Sequence, residues 1–214
     1  MNSKAKIGIK LCILVSVLFS SVILCGFDLN PFGTPEAFVV NNSPTIIIGD
    51  SRMVLVHDAV GDAGCDWMAT AGAGFDCMSS FARLIDSMDI NGKKIVISIG
   101  INDINALSVS MNPFFKYQNF MSTKAQEWIE KGATVYFTDI PGITPAIKDI
   151  PVCAGTCVES INEHVRQFNN LAKSGGFPAN IKHINLNISD DLYVDGLHYN
   201  PEACKYVFDR IMQE

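Results

Sequence analysis

Basic residues are scarce in this sequence, and they are not clustered. The chain contains 16 Lys and Arg against 22 Asp and Glu, with a net charge of −6 and a pI of about 5.2. A surface that binds a polyanion needs concentrated positive charge, so nucleic acid is set aside as a partner. Internal repeats and low-complexity tracts are also lacking. The 214 residues, 48% of them hydrophobic, are enough for one domain with a full core.

The sequence lacks the paired cysteine motifs that are typical of structural zinc sites. Cys153 and Cys157 are spaced C-x-x-x-C, no second pair of similar spacing follows, and His164 alone does not complete a set of four ligands. A disulfide between Cys153 and Cys157 is the favoured alternative if the domain lies outside the cell. Cys65 and Cys77 form a second, weaker candidate pair.

A long hydrophobic run lies near the start of the chain. Residues 11–25, LCILVSVLFSSVILC, are uncharged and follow three lysines, which is the layout of a secretory signal. No A-x-A cleavage site follows, and residues 7–27 carry Lys10 as their only charge, which is just enough apolar chain to span a bilayer. We therefore interpret residues 1–27 as a signal peptide or N-terminal membrane anchor. The globular part is expected to be extracytoplasmic, either secreted or anchored to the membrane.

The rest of the chain divides into a linker and a folded domain. Residues 28–44 contain three Pro, one Gly and three Asn, so we interpret them as a linker. From residue 45 to residue 214, short apolar runs alternate with segments of helical periodicity. The predicted strands are TIIIG, WMATAG, KKIVISIG, ATVYFTDIPG and IKHINLN. The predicted helices are SSFARLIDSM, NPFFKYQNFMSTKAQEWIEKG, CVESINEHVRQFNNLAKSGG and NPEACKYVFDRIM, the last with Asn200 as its N-cap.

This pattern predicts an α/β fold. Continuous apolar strands that are separated by helices indicate a mainly parallel sheet that is covered on both faces. We therefore expect a three-layer α/β/α sandwich with about five strands. In such a fold the residues that follow each strand meet at one edge of the sheet, where ligand sites form.

Several residues that can carry acyl-transfer chemistry follow the predicted strands. They are Ser51 after the first strand, Gly72 and Gly74 after the second, Asn102 and Asp103 after the third, and Asp195 and His198 after the last. A Ser hydroxyl becomes a nucleophile when an imidazole takes its proton and a carboxylate orients that imidazole. The predicted triad is therefore Ser51, His198 and Asp195. The predicted oxyanion hole consists of the Ser51 amide, the amide of Gly72 or Gly74, and the Asn102 side chain.

Three short motifs carry a resemblance to a known family. The chain has GDSR at residues 49–52, GIND at residues 100–103 and DGLH at residues 195–198. In this order they resemble the SGNH hydrolase (GDSL esterase/lipase) superfamily over residues 45–214. The resemblance implies a flavodoxin-like fold, no metal or organic cofactor, and Ser51, a glycine, Asn102 and His198 as the four eponymous residues.

Two residues beside these motifs are assigned to substrate binding. Arg52 stands where the name-giving motif has Leu, and its side chain would bring a cation to the site. Asp103 follows Asn102 and is also expected to fix its loop. His57, His164 and His183 are interpreted as structural residues. For Trp67 and Phe75, core packing is favoured over stacking on a sugar ring.

The expected function is that of an extracytoplasmic serine esterase. It would hydrolyse short acyl esters, acetyl esters above all, of carbohydrates or other alcohols through an acyl-enzyme. A membrane-anchored O-acyltransferase that acts on cell-wall or polysaccharide hydroxyls is one alternative. A non-catalytic carbohydrate-binding domain is another. The expected partners are thus a small-molecule or carbohydrate ester and, through the N-terminal segment, a membrane.

Overall fold

A six-stranded sheet forms the centre of the protein. The structure is a computed structural model that describes residues 36–105, 112–149, 155 and 157–214. The strands are β1 (Glu36–Val39), β2 (Thr45–Gly49), β3 (Cys65–Thr70), β4 (Lys94–Ser98), β5 (Thr134–Thr138) and β6 (Lys182–Ile184). Their order in the sheet is β1-β3-β2-β4-β5-β6, with β1 antiparallel to β3 and all other neighbours parallel.

Helices cover both faces of this sheet. They are α1 (Ser51–Val60), α2 (Met78–Asp86), α3 (Ile101–Asn105), α4 (Asn112–Ser122), α5 (Lys124–Glu130), α6 (Val158–Leu171) and α7 (Pro201–Gln213). Alternate residues of a strand point to opposite faces, so Ile46 and Ile48 pack with α2 to α6, whereas Ile47 packs with α1 and α7. The predicted three-layer α/β/α architecture is confirmed.

Three details differ from the sequence prediction. The sheet has six strands rather than about five, because β1 lies inside the range that was interpreted as a linker. This strand has four residues, buries Ala37 and leaves Phe38 46% exposed. It is short and is flanked by Pro and Asn residues, so the sequence shows no strong strand pattern there. The single long helix that was predicted after β4 is two helices, α4 and α5, which are separated by a non-helical Thr123. The last strand, β6, has only three residues.

Some predictions concern residues outside the described ranges. The signal or anchor segment, residues 1–27, and Cys153 of the candidate Cys153–Cys157 pair lie there. None of the helices in the described ranges combines the length and hydropathy of a bilayer-spanning helix. Within the described part of the chain, Cys65 and Cys77 are not joined by a disulfide. Asn200 accepts a hydrogen bond from the Ala203 amide at 2.9 Å, which confirms it as the N-cap of α7.

Candidate active site

The predicted nucleophile lies where β2 passes into α1. Gly49 ends the strand, and a Cβ at this position would come within 2.2 Å of the Met53 side chain, so the tight turn requires glycine. Asp50 is the N-cap of α1 and accepts the Arg52 amide at 2.9 Å. Ser51 is therefore the first residue of a helix, where backbone N–H groups lack helical acceptors and the helix dipole is positive. This position suits a group whose neighbourhood must stabilise negative charge.

The predicted base lies on the second arm of a short hairpin, residues 193–199, which we call the catalytic hairpin. Its two ends pair at Tyr193 and Tyr199, and the Val194 amide donates to the His198 carbonyl at 2.8 Å. Gly196 has a φ of +84°, and a Cβ there would come within 2.3 Å of the Ile147 backbone nitrogen. The DGLH motif thus requires its glycine both for a left-handed turn and for close approach of a neighbouring loop.

Asp195 and His198 are held by bonds within the hairpin itself. One carboxylate oxygen of Asp195 accepts the backbone amides of Leu197 at 2.9 Å and His198 at 2.7 Å. The other oxygen lies 2.8 Å from His198 Nδ1. The three-residue spacing of Asp195 and His198 therefore fixes the direction of the imidazole before any substrate binds.

Ser51, His198 and Asp195 form a continuous hydrogen-bonded relay. His198 Nε2 lies 3.1 Å from Ser51 Oγ, and all three residues are buried. Burial raises the pKa of Asp195, but the bonds from His198 and two backbone amides outweigh it and hold that pKa below its usual value. The ionised carboxylate can only accept, so the imidazole proton is on Nδ1 and Nε2 accepts from the Ser51 hydroxyl.

The glycine-rich turn faces the start of α3. The Asn102 side-chain amide donates to the Ala73 carbonyl at 2.8 Å, and Gly72 adopts a φ of +76°. A side-chain amide has two N–H groups, so this bond leaves Asn102 one further donor. The assignment of the oxyanion hole to Ser51, Asn102 and either Gly72 or Gly74 stays a prediction.

The assignment of Asp103 to substrate binding stays a prediction, whereas its contacts agree with the expectation that it fixes its loop. Its carboxylate accepts the Phe75 amide at 3.0 Å and the Tyr117 hydroxyl at 2.8 Å, and a Cβ on Gly74 would come within 2.8 Å of it. Burial raises the pKa of Asp103. Its contacts are those of a residue that fixes the glycine-rich turn. The sequence carries no local signal for Tyr117, because it reaches Asp103 from another helix.

The assignment of Arg52 to substrate binding also stays a prediction, and the contacts of its side chain in the structure lie within the protein. The side chain is 3% exposed and turns into the protein. Its three guanidinium nitrogens donate to the backbone carbonyls of Leu197, Pro141 and Gly142. These bonds direct the guanidinium to the backbone of neighbouring loops.

The remaining singled-out residues lie in structural surroundings. Trp67 is fully buried and donates to the Asp62 carbonyl, whereas Phe75 packs edge-on against Tyr117. His57 lies on α1 beside Trp67, and His183 stacks on a phenylalanine; burial lowers the pKa of His183. Within the described ranges, no group of three His, Cys, Asp or Glu side chains is arranged to hold a metal ion.

The fold is shared with solved structures, several of which are described as GDSL lipases or acylhydrolases. No family model and no curated protein matches the sequence. Among solved structures, a GDSL-like lipase from Bacteroides thetaiotaomicron is 16% identical with a TM-score of 0.55, over 94% of this chain and 96% of that one. The acetyl xylan esterase AlAXEase is 16% identical with a TM-score of 0.52, over 79% and 98%. The OSK domain of Drosophila Oskar is 14% identical with a TM-score of 0.58, over 91% and 98%.

These likenesses establish the fold and nothing finer. The solved structures carry different descriptions, and two of the three are described as a lipase or an esterase. A fold of this kind hosts several functions, so activity has to be argued from the site.

Proposed function

We propose that this protein is a serine esterase that hydrolyses short acyl esters of carbohydrates or other alcohols through an acyl-enzyme. The observation that carries the proposal is the buried relay in which Ser51 Oγ lies 3.1 Å from His198 Nε2 and His198 Nδ1 lies 2.8 Å from Asp195. This combination activates a hydroxyl, and a pure binding role would not require it.

In the acylation step, Ser51 Oγ attacks the ester carbonyl while His198 Nε2 takes the hydroxyl proton. Asp195 stabilises the imidazolium that forms and does not itself take the proton. The tetrahedral intermediate then collapses, the bond to the alcohol breaks, and His198 returns the proton to the leaving alkoxide. The products of this step are the free alcohol and an acyl ester on Ser51.

The deacylation step repeats the same chemistry with water. Water attacks the acyl carbonyl while His198 Nε2 takes its proton, and a second tetrahedral intermediate forms. Its collapse breaks the bond between the acyl carbon and Ser51 Oγ, His198 returns the proton to Ser51 Oγ, and the carboxylic acid is released. In both steps negative charge develops on the carbonyl oxygen. The Ser51 amide, the free N–H of Asn102 and one amide of the glycine-rich turn are the donors that we assign to it.

The substrate class rests on two supporting arguments. Residues 45–214 contain no long apolar segment that would serve as a lid over an extended acyl chain, which favours short acyl groups such as acetyl. The fold is shared with a protein described as an acetyl xylan esterase, which acts on an acetylated carbohydrate by its name. We therefore propose an acetylated carbohydrate as the first substrate class to test.

We also propose that the protein acts outside the cytoplasm. The argument is the basic and apolar layout of residues 1–27, which is that of a secretory signal or an anchor. Fractionation of cells that express the full chain checks this location, and recovery of all the protein from the cytosol would contradict it.

The activity is tested by the hydrolysis of p-nitrophenyl acetate, butyrate and octanoate by the full chain in a mild detergent. Ser51→Ala and His198→Ala are the test variants, and Ser87→Ala, an exposed serine on the far end of α2, is the matched control. We expect activity that falls with acyl length, is lost in both test variants and is unchanged in the control. Folded protein that hydrolyses none of the esters would contradict the esterase, and acyl transfer to an acceptor sugar by that protein would identify an O-acyltransferase.

A further inference from the structure

The Arg52 guanidinium is buried against backbone carbonyls of two separate loops. Nε donates to Leu197 at 3.0 Å, and the two terminal nitrogens donate to Pro141 at 2.7 Å and Gly142 at 2.8 Å. In the described part of the chain no carboxylate forms an ion pair with it. An arginine stays charged in proteins, so the three carbonyl dipoles contribute to the stabilisation of this buried cation.

The first of these loops is the catalytic hairpin. Leu197 lies between Asp195 and His198, so the bond from Arg52 acts on the segment that carries both residues of the relay. The guanidinium also lies over the ring of Tyr199, at 5.3 Å from its centroid, at the base of the same hairpin. Arg52 itself follows Ser51 directly in α1. One side chain therefore joins the helix turn of the nucleophile to the loop of the base.

The second loop, residues 139–144, is fixed to α6 by two asparagines. Asn169 exchanges two hydrogen bonds with the backbone of Ile140, at 3.0 and 2.9 Å, and Asn162 does the same with Ile143, at 2.8 and 2.8 Å. These are the pairings that a neighbouring strand would make. Pro141 and Gly142 lie between the two asparagine contacts, so Arg52 binds to a part of the loop that is held on both sides.

The two loops also contact each other directly, at the tip and at the base of the catalytic hairpin. At the tip, the Thr144 amide donates to the Gly196 carbonyl at 2.8 Å, and at the base the Tyr193 hydroxyl donates to the Gly142 carbonyl at 3.2 Å. The hairpin is therefore attached to loop 139–144 by these two bonds and to α1 through Arg52. The second attachment is the one that sets the hairpin relative to Ser51.

We propose that Arg52 is a positioning residue that holds His198 at the distance from Ser51 that proton transfer requires. This inference rests on the proposed function, because it assigns Arg52 a part in the same relay. Arg52 does not touch the reacting atoms. It acts through the Leu197 carbonyl and the fixed loop, with a planar fork that reaches three acceptors at once, which neither a lysine nor a leucine can do.

The test compares Arg52→Leu and Arg52→Lys with Lys93→Met as a matched control. Lys93 is also buried and donates to a backbone carbonyl, that of Ser43 at 2.7 Å, but it lies at the opposite end of the sheet. The readouts are kcat and KM for p-nitrophenyl acetate, the thermal midpoint, and the downfield proton resonance of His198 Nδ1, assigned by its loss in His198→Ala. The resonance reports the bond to Asp195 without any turnover.

For Arg52→Leu we expect kcat to fall roughly 100-fold, the cost of about 1 Å of misplacement, while KM stays within about threefold. The His198 resonance is expected to broaden or disappear, because a hairpin that has lost its bond to α1 opens the buried His198 to proton exchange with water. The kcat of Arg52→Lys is expected to lie between those of Arg52→Leu and wild type, because lysine keeps the charge and one of the three hydrogen bonds. Lys93→Met is expected to lower the thermal midpoint with unchanged kcat and resonance.

Wild-type kcat and an unchanged resonance in Arg52→Leu would overturn the proposal, since a leucine at position 52 would then hold His198 as well as the arginine does. A fall in kcat of the same size in Lys93→Met would also overturn it, because the effect would follow general destabilisation. If wild-type protein hydrolyses no ester, the proposed function fails separately. The His198 resonance in Arg52→Lys and Arg52→Leu then still tests the positioning role of Arg52. Loss of the resonance supports this role, and its persistence contradicts it.

Discussion

The two sides of Ser51 are built around two aspartates, one buried and one half-buried, that make similar contacts and have opposite pKa shifts. On the side of the base, Asp195 accepts two backbone amides and the His198 imidazole, and its pKa is lowered. On the side of the glycine-rich turn, Asp103 accepts the Phe75 amide and the Tyr117 hydroxyl, and its pKa is raised by burial. Both carboxylates hold a loop in place.

The difference lies in the partner rather than in the backbone contacts. The partner of Asp195 is the His198 imidazole, which can become a cation. Its positive charge then compensates the negative charge of the Asp195 carboxylate during the reaction. Asp103 accepts from two neutral donors, the Phe75 amide and the Tyr117 hydroxyl, and burial outweighs these bonds in its pKa. We conclude that the charge of Asp195 serves the chemistry, whereas Asp103 serves through its acceptor oxygens.

The largest expected effect is that of Asp195→Asn. An amide at this position presents the wrong group to His198 Nδ1 and favours the wrong tautomer, so we expect kcat to fall roughly 10,000-fold. Steady-state hydrolysis of p-nitrophenyl acetate measures it. Asp209→Asn, which changes an exposed aspartate on α7, is the control. A loss of kcat below about tenfold in Asp195→Asn would contradict an oriented imidazole, because the same change in the catalytic triad of a serine protease lowers kcat far more.

Removal of the proposed oxyanion donor is expected to have the next largest effect. Asn102→Ala should lower kcat by roughly 100- to 1000-fold, because one donor to the developing oxyanion is lost. The same assay measures it, with Asn180→Ala, an exposed amide, as the control. If kcat were unchanged, Asn102 would serve only to hold the Ala73 carbonyl, and the oxyanion hole would have to be assigned to other groups.

A smaller effect is expected from the same chemical change on the opposite side. Asp103→Asn keeps an acceptor oxygen and removes a buried charge, so we expect kcat and stability close to wild type. Asp103→Ala leaves two donors without an acceptor and should lower the free energy of unfolding by roughly 1–3 kcal/mol. Urea unfolding at neutral pH measures this difference. A loss of activity in Asp103→Asn as large as that in Asp195→Asn would contradict the distinction between the two carboxylates.

The pH dependence of stability should differ in sign between the two aspartates. The pKa of Asp195 is lowered on folding, so its contribution is present above the unfolded value of about 3.9 and is lost as the pH falls through the folded value. The pKa of Asp103 is raised, so the folded state loses stability as the pH rises from about 3.9 through the folded value. Urea unfolding between acid and neutral pH, compared with Asp195→Asn and Asp103→Asn, measures both slopes. Slopes of the same sign would contradict this comparison.

Much of the fold and of the candidate site could be predicted because the signals are local. Ser51 and Asn102 each lie in a polar motif directly after a buried strand, and Asp195 and His198 lie within one short hairpin. The helix cap at Asn200 is similarly contained in a few residues. The apolar runs of the central strands are long enough to indicate a parallel sheet without any knowledge of their neighbours.

The features that could not be predicted depend on distant parts of the chain. Arg52 resembles a substrate contact in the sequence, but its acceptors, such as Leu197, are about 90 to 145 residues away. The partner of Asp103, Tyr117, lies on another helix. Strand β1 is stabilised by pairing with β3 rather than by its own four residues. In each case the decisive interaction is tertiary and leaves no periodic pattern.

The most direct test of the serine mechanism is labelling of the folded protein with a fluorophosphonate, followed by mass spectrometry of its peptides. We predict one covalent adduct on Ser51, formed with loss of fluoride, and no adduct at the same reagent concentration in His198→Ala. Folded wild-type protein that stays unlabelled, or that is labelled elsewhere while the Ser51 peptide is unmodified, would contradict the assignment of Ser51 as an activated nucleophile.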